Sequence, residues 1–349
     1  MRCCSAFVPG YDQEGLPILS VLAKITFDIA QGGVSLSEQQ IPLVNSDVYA
    51  DPAAPQFSEV HAESDLVACK LFTDCVVTGS VYPPRGKKAY QLDCSVKVGP
   101  LSKNVRVFGN RTMEWRPFRG VVISEPQPFE SIELGYRNAY GGITRTGKGT
   151  PVVFSPNSIG RGFVLRECIR KAGTVALPNL EDPENLLTGD NAVVAAPGKW
   201  SKAPRPSSLG WTRRDFYPRY TYAGILSEDT KVSNDESPRM DMRFYQGASE
   251  GLWGKLLSGN ETVQLRYLDP VYSDFEFQLP AASPALVINI GEGSQQLTPF
   301  LQTVVINKNE NKMTMIWRGS IKYGGLDTLG NCKLACSAEI ESVTEPYLC

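Results

Sequence analysis

Few residues in this chain have the types and spacing that chemistry needs. Gly142-Ile143-Thr144-Arg145-Thr146-Gly147-Lys148-Gly149 comes close to a phosphate-binding loop. In such a loop, backbone amides and a lysine cradle phosphates, and a Ser or Thr after the lysine holds magnesium. Here Gly149 takes that place, Thr150 falls one residue late, and Pro151 stands where the helix should begin. The stretch therefore reads as a glycine turn with an exposed basic tip. His61 is the single histidine, so any Ser-His-Asp or Cys-His arrangement would have to use it as its base. No Gly-x-Ser-x-Gly elbow accompanies it, and it reads as a surface or strand-end residue. Two carboxylates at a set separation would suffice for glycoside hydrolysis. The chain has 37 acidic residues, and Trp115, Trp200, Trp211 and Trp253 could line a sugar cleft, yet no acid is singled out. The nine cysteines contain no Cys-x-x-Cys; Cys3-Cys4 and Cys332-x-x-x-Cys336 are the only close pairs, and no four-ligand zinc spacing exists. Cys69, Cys75 and Cys94 sit in apolar strand patterns and read as buried reduced thiols. No catalytic residue, metal ligand or cofactor is expected.

Binding chemistry is better represented. Trp211-Thr212-Arg213-Arg214-Asp215-Phe216-Tyr217-Pro218-Arg219-Tyr220-Thr221-Tyr222 interleaves aromatic and basic residues. Such a segment could stack nucleic-acid bases. With a formal net charge of -2 the electrostatic attraction for phosphates is missing. Tyr, Trp and Arg are also the residues that anchor protein–protein interfaces, and that reading fits better. The plain alternative is that the aromatic stems pack while the arginine heads stay in water.

The elements that would position these residues are strands. Asp65-Leu66-Val67-Ala68-Cys69-Lys70-Leu71-Phe72-Thr73-Asp74-Cys75-Val76-Val77-Thr78-Gly79 reads as two short strands with a charged corner between them. Val21, Ala23, Ile25, Phe27 and Ile29 recur with a period of two, as do Tyr90 to Val98, Val105 and Val107, Val263 to Tyr267, and Phe275 to Leu279. Strands with one buried face produce this pattern. Leu301 to Ile306 and Met313 to Trp317 flank a polar loop and predict a hairpin. Helix signals are confined to Ser249 to Leu257, with a serine cap and Gly259 beyond the end, and to a second short helix within Asp241 to Gly247. The expected fold is mainly β, an antiparallel sandwich-like architecture with one or two short helices and a long loop-rich insertion. The division is 1–140, a loop-rich insertion at 141–235, and 236–349, the first and last able to form one continuous domain. The insertion reads either as ordered loops facing a partner or as surface elaboration. No run of about 18 apolar residues predicts a membrane helix, and the N-terminus breaks too early for a signal peptide, so a soluble cytosolic protein is expected.

Several motifs taken in order resemble one family, the bacterial type VI secretion accessory proteins classed as domain of unknown function 2169. They include Leu66-Val67-x-x-Lys70-x-x-Thr73-Asp74-x-x-Val77-x-Gly79, then Val105-x-Val107-x-Gly109-x-Arg111 with Trp115, and Leu134-x-Tyr136-x-x-Ala139-Tyr140-Gly141-Gly142. Asn157-x-x-Gly160-x-Gly162-Phe163, Leu177-Pro178-Asn179-Leu180-Glu181, Arg243-Phe244-Tyr245-Gln246 and Trp317-Arg318-Gly319 follow. The chain departs from the expected pattern where Pro156 precedes Asn157, and around 209–235. The resemblance implies a cytosolic, non-catalytic adaptor or chaperone. It would load an effector, often one with a PAAR-type tip domain, onto the VgrG spike, without nucleic-acid or membrane partners. A carbohydrate-active hydrolase using paired carboxylates and a structural spike component are the rival readings. Trp115, Tyr136, Asn157, Asn179, Trp211 and Arg243 are the candidate partner contacts. Lys70, Asp74, Gly79, Gly109, Arg111, Gly141, Gly142, Trp317 and Arg318 are expected to be structural, the charged ones through charge-assisted hydrogen bonds and the glycines through close packing.

Overall fold

The long apolar strand Pro17–Ala30 organises the molecule. Its β-branched and aromatic residues suit a pleated surface, and fourteen residues give it the length to serve two packing partners. In the computed structural model, which describes residues 4–146, 149–224, 241–281, 283–290 and 293–322, it pairs with Cys4–Tyr11 on one side and Lys312–Lys322 on the other. Phe300–Asn307 and Asp74–Thr78 extend the sheet, the last pairing parallel, and Gly33–Leu36 folds back on the end of the long strand. The sheet thus joins the beginning of the described chain to its end. The Phe300–Asn307 and Lys312–Lys322 pair is the hairpin expected from the sequence, with Asn311 in its turn at φ 50°.

A second sheet runs in the order Leu180–Glu181, Leu101–Phe108, Gln91–Val98, Thr262–Arg266, Asp274–Gln278, all antiparallel. Cys94, Val96, Val98, Val105, Val107, Val263, Leu265, Phe275 and Phe277 point inward and share one core with Ile25, Phe27, Val77, Val304, Ile306, Met315 and Trp317 of the first sheet. Two sheets closing on one apolar layer make a sandwich. Gln91, Asp93, Lys97, Gln264 and Glu276 face solvent, which explains the clean alternation of this sheet.

Four expectations are corrected. The Pro17–Ala30 strand is buried on both faces: Leu22, Lys24 and Thr26 are as inaccessible as Val21 and Phe27. Its second face is covered by the segment 37–73, where Asp65 pairs with Lys24 at 2.8 Å and Gln40 bridges both backbone groups of Thr26. In 65–79, only Asp74–Thr78 is a strand; Asp65 to Thr73 passes over the sheet without pairing, and Leu71 and Phe72 give their amides to the Gln246 side chain. Ser249 to Leu257 is not helical. The carbonyls of Leu252 and Lys255 are taken by the amides of Cys75 and Thr73, closing the sheet edge, and Gly251 and Gly254 sit at φ 90° and 101°, which an α-helix does not accommodate. The second expected helix is a 3-10 turn, Met242–Tyr245, capped by Asp241.

The loop-rich middle builds a second core of its own. Tyr140, Phe154, Phe163 and Trp200 pack edge-on or tilted with ring centres 5.1 to 5.6 Å apart, joined by Met113, Leu165, Ile169, Leu177 and Val194. Edge-to-face aromatic pairs hold together strands of only two or three residues that could not stand alone. Residues 225–235 of this region, and Cys3, Cys332, Cys336 and Cys349, lie outside the described residues.

Candidate functional site

The segment Trp211 to Tyr222 lies in a seam between the sandwich core, the turn Tyr136–Asn138 and the paired strands Val48–Tyr49 and Val60–Ala62. Backbone bonds fix its entry: Val77 donates to the Leu209 carbonyl at 3.0 Å and Thr212 donates to the Gly247 carbonyl at 2.9 Å. Trp211 and Phe216 are buried, and Phe216 meets the Tyr136 ring edge-on at 5.8 Å. The Tyr136 hydroxyl hydrogen-bonds Thr212 Oγ1 at 2.8 Å and Ser249 Oγ at 3.2 Å.

The arginines turn inward rather than outward. Arg213 donates to the Pro55 and Ser58 carbonyls at 2.7 and 2.6 Å, holds Asp215 in a two-pronged pair, and lies 5.1 Å from the Phe216 ring centre. Arg219 donates to the Thr212 and Phe244 carbonyls and to Glu63 Oε1 at 2.7 Å. Arg214 donates to the same Glu63 oxygen at 2.9 Å and approaches Asp47 at 3.4 Å. Burial pushes the Glu63 carboxyl up, but Arg219, Lys70 and Arg214 outweigh it and hold it below the usual carboxylate range. Lys70 in turn meets Asp74 at 2.6 Å, and Asp74 accepts from Gln246 Nε2 and the Gly247 amide, both at 2.8 Å. One network therefore runs from the first sheet through Gly247 to the Trp211 segment.

Two hollows share Val60, Trp211 and Arg213. The larger, about 280 Å³, is lined by Asp47, Tyr49, Glu63, Arg214 and Asp215 among others; the smaller, about 50 Å³, by Glu59, His61, Leu134 and Phe216. Burial raises the Glu59 carboxyl even though the Arg137 amide and side chain oppose the shift. Trp211 Nε1 and Glu63 Oε2, both buried, have no hydrogen-bond partner among the described residues. At the outer margin Tyr217 and Tyr220 stand exposed with ring centres 6.3 Å apart, and Phe57 is exposed in the turn that Arg213 grips. The seam is thus a charged, pre-set groove beside an aromatic ledge.

A family model described as an uncharacterized protein conserved in bacteria (DUF2169) matches residues 14–318. The chain belongs to this family. No curated protein and no solved structure matches it. In this DUF2169 protein the matched span takes in the second sheet, most of the first, and the whole seam.

Four of the six candidate contacts are withdrawn from the surface. Tyr136 and Trp211 are packed as described above. Asn157, fully buried, donates to the Tyr136 and Tyr140 carbonyls at 2.7 and 3.0 Å. Its carbonyl accepts from Gly142, and a Cβ on Gly141 would run into that carbonyl; Gly141 and Gly142 also hold φ of 151° and 107°. Asn179 donates to the Phe108 carbonyl at 3.0 Å and accepts from Arg161. These asparagines stitch turns together, which is why they carry a motif without touching solvent. Trp115 is half-buried under the Arg170 guanidinium, 4.9 Å from its ring, and Arg243 is exposed, paired with Asp241 and stacked on Tyr222 at 4.3 Å. Arg111 forms a buried pair with Glu181 and lies 3.5 Å from the Phe108 ring centre. Arg318 donates to the Ala68 carbonyl at 3.2 Å, and Trp317 fills the sandwich core. Gly79 gives its carbonyl to Leu134, and the Gly109 amide donates to Tyr90.

The near phosphate-binding loop is a hairpin, Ile143–Arg145 with Pro151–Val153, so a strand and not a helix follows it; its tip, Gly147 and Lys148, lies outside the described residues. His61 is exposed on the strand Val60–Ala62. Among the described residues no group of three or more His, Cys, Asp and Glu side chains is placed to hold a metal, and no helix is long and apolar enough to cross a membrane. Glu63 and Arg219, the centre of the seam, carried no motif of their own; the interleaved composition of 211–222 was the signal that led there.

Proposed function

We propose that this DUF2169 protein is a non-catalytic adaptor that binds a secreted effector and presents it to the type VI secretion spike. The observation that carries the reading is the exposed pair Tyr217 and Tyr220, set in the same segment as the arginines of a groove whose charges are already paired. Exposed aromatics on a rigid, pre-organised base cost little entropy when a partner covers them. Asp47, Glu63 and Asp215 are each claimed by an arginine, which supports binding over acid–base chemistry by paired carboxylates. The effector class, its PAAR-type tip domain and the VgrG spike come from the family resemblance. The test is co-purification of the tagged full chain from its own host, with mass spectrometry of what is retained. The reading expects one stoichiometric effector or spike-tip protein, lost in the double variant Tyr217→Ala, Tyr220→Ala. Retention of the same partner by that variant, or a bare chain in both, would overturn it.

A further inference from the structure

The hairpin Thr112–Arg116 with Gly120–Ile123 stands on the second core through Met113, Trp115, Val121 and Ile123. Its tip is Pro117-Phe118-Arg119. Phe118 is fully exposed and holds φ 64°, in the left-handed region. Gly, Asn and Asp enter that region readily, whereas an aromatic side chain is disfavoured there. The position thus sets the ring against the backbone and against water at once, and packing gives nothing in return. Exposed guanidinium groups surround it: Arg116 and Arg119 on the hairpin, and Arg170 stacked over Trp115 at its base. Only Glu114 on the same strands answers them, by pairing with Arg116, and Arg119 has no ion-pair partner among the described residues.

From this we infer that Phe118 is an anchor for a protein partner that offers an apolar socket rimmed by carboxylates. The cationic collar selects for acidic surroundings, and the single ring selects for a pocket. A membrane surface is the poorer fit, because one ring without neighbouring apolar surface buries too little to hold a protein on lipid. The net charge of -2 speaks against nucleic acid. The knob rides on the second core and the exposed tyrosines on the seam, so variants at the two can be compared separately.

The experiment places benzoylphenylalanine at position 118 of the full chain, irradiates cells of the host, and sequences the adduct, with the same probe at exposed Tyr11 as control. The expected result is one protein cross-linked only from 118, at a site with Asp or Glu beside apolar residues. With that protein purified, Phe118→Ala weakens binding about 30-fold. Arg116→Glu with Arg119→Glu weakens it further, and salt erodes the wild-type affinity. Phe118→Gly, which relieves the backbone, leaves the melting temperature unchanged or higher, showing that lost binding is not lost folding. Adducts identical from 118 and 11, or binding by Phe118→Ala within twofold of wild type, would overturn the inference. So would binding to phosphatidylglycerol vesicles that Phe118→Ala abolishes.

Discussion

Replacing Lys70 by methionine removes the counter-ion of a fully buried carboxylate while keeping most of the side-chain volume. Asp74 would retain the Gln246 Nε2 and Gly247 amide bonds but lose the 2.6 Å contact to Lys70 Nζ, and Thr303 Oγ1 would lose its 3.2 Å donor. Breaking one side of a buried pair costs about 3–5 kcal/mol. The two surviving hydrogen bonds place this case near 3 kcal/mol. That is a large share of the roughly 5–15 kcal/mol that holds a folded protein together. Urea unfolding followed by tryptophan fluorescence reads it as a lowered midpoint at unchanged slope. Because Gly247 accepts from Thr212, the adaptor proposal expects partner affinity to fall as well. A loss below about 1 kcal/mol would refute the reasoning that this buried pair helps tie the sheet to the seam.

Other outcomes follow from the same structure. Burial pushes the Cys75 and Cys94 thiols up to about 12, so a thiol reagent at pH 8 should leave both unmodified in the folded protein and label them only after unfolding. Glu63 is held below its ordinary value of 4.5, so it contributes stability above that pH and loses it as pH falls through the lower folded value. Acid unfolding of Glu63→Gln should accordingly be shallower than that of the native chain. Desolvation lowers the part-buried Lys103 amine to about 8 although the charges of Glu250 and Asp182 pull it up. Its buried charge penalises the fold most below pH 8, and stability should rise between about 8 and 10.5, a slope that Lys103→Met abolishes in pH-resolved thermal melts.

The second sheet was legible because water does the sorting: Cys94, Val96 and Val98 alternate with Asp93, Ser95 and Lys97, and the structure puts them on opposite faces. The Pro17–Ala30 strand was half legible, since Lys24 and Thr26 look solvent-facing until Asp65 and Gln40 cover them from distant sequence. The second core was not legible. Tyr140, Phe154, Phe163 and Trp200 meet across turns, and no local period records a cluster assembled from strands of two or three residues. Motif asparagines misled for a related reason. Asn157 and Asn179 serve carbonyls many residues away, and a buried hydrogen-bond duty looks in sequence like a surface contact. The aromatic and basic run 211–222 marked the seam but blurred its parts, since Trp211, Phe216 and the arginines hold it together while Tyr217 and Tyr220 face outward.

The most direct test of the adaptor account is titration calorimetry of the purified chain against the client it retains. The account predicts one-to-one binding that weakens at least about 30-fold when Tyr217 and Tyr220 become alanine, with the variant's melting temperature unchanged. Equal affinity in the two proteins would contradict it.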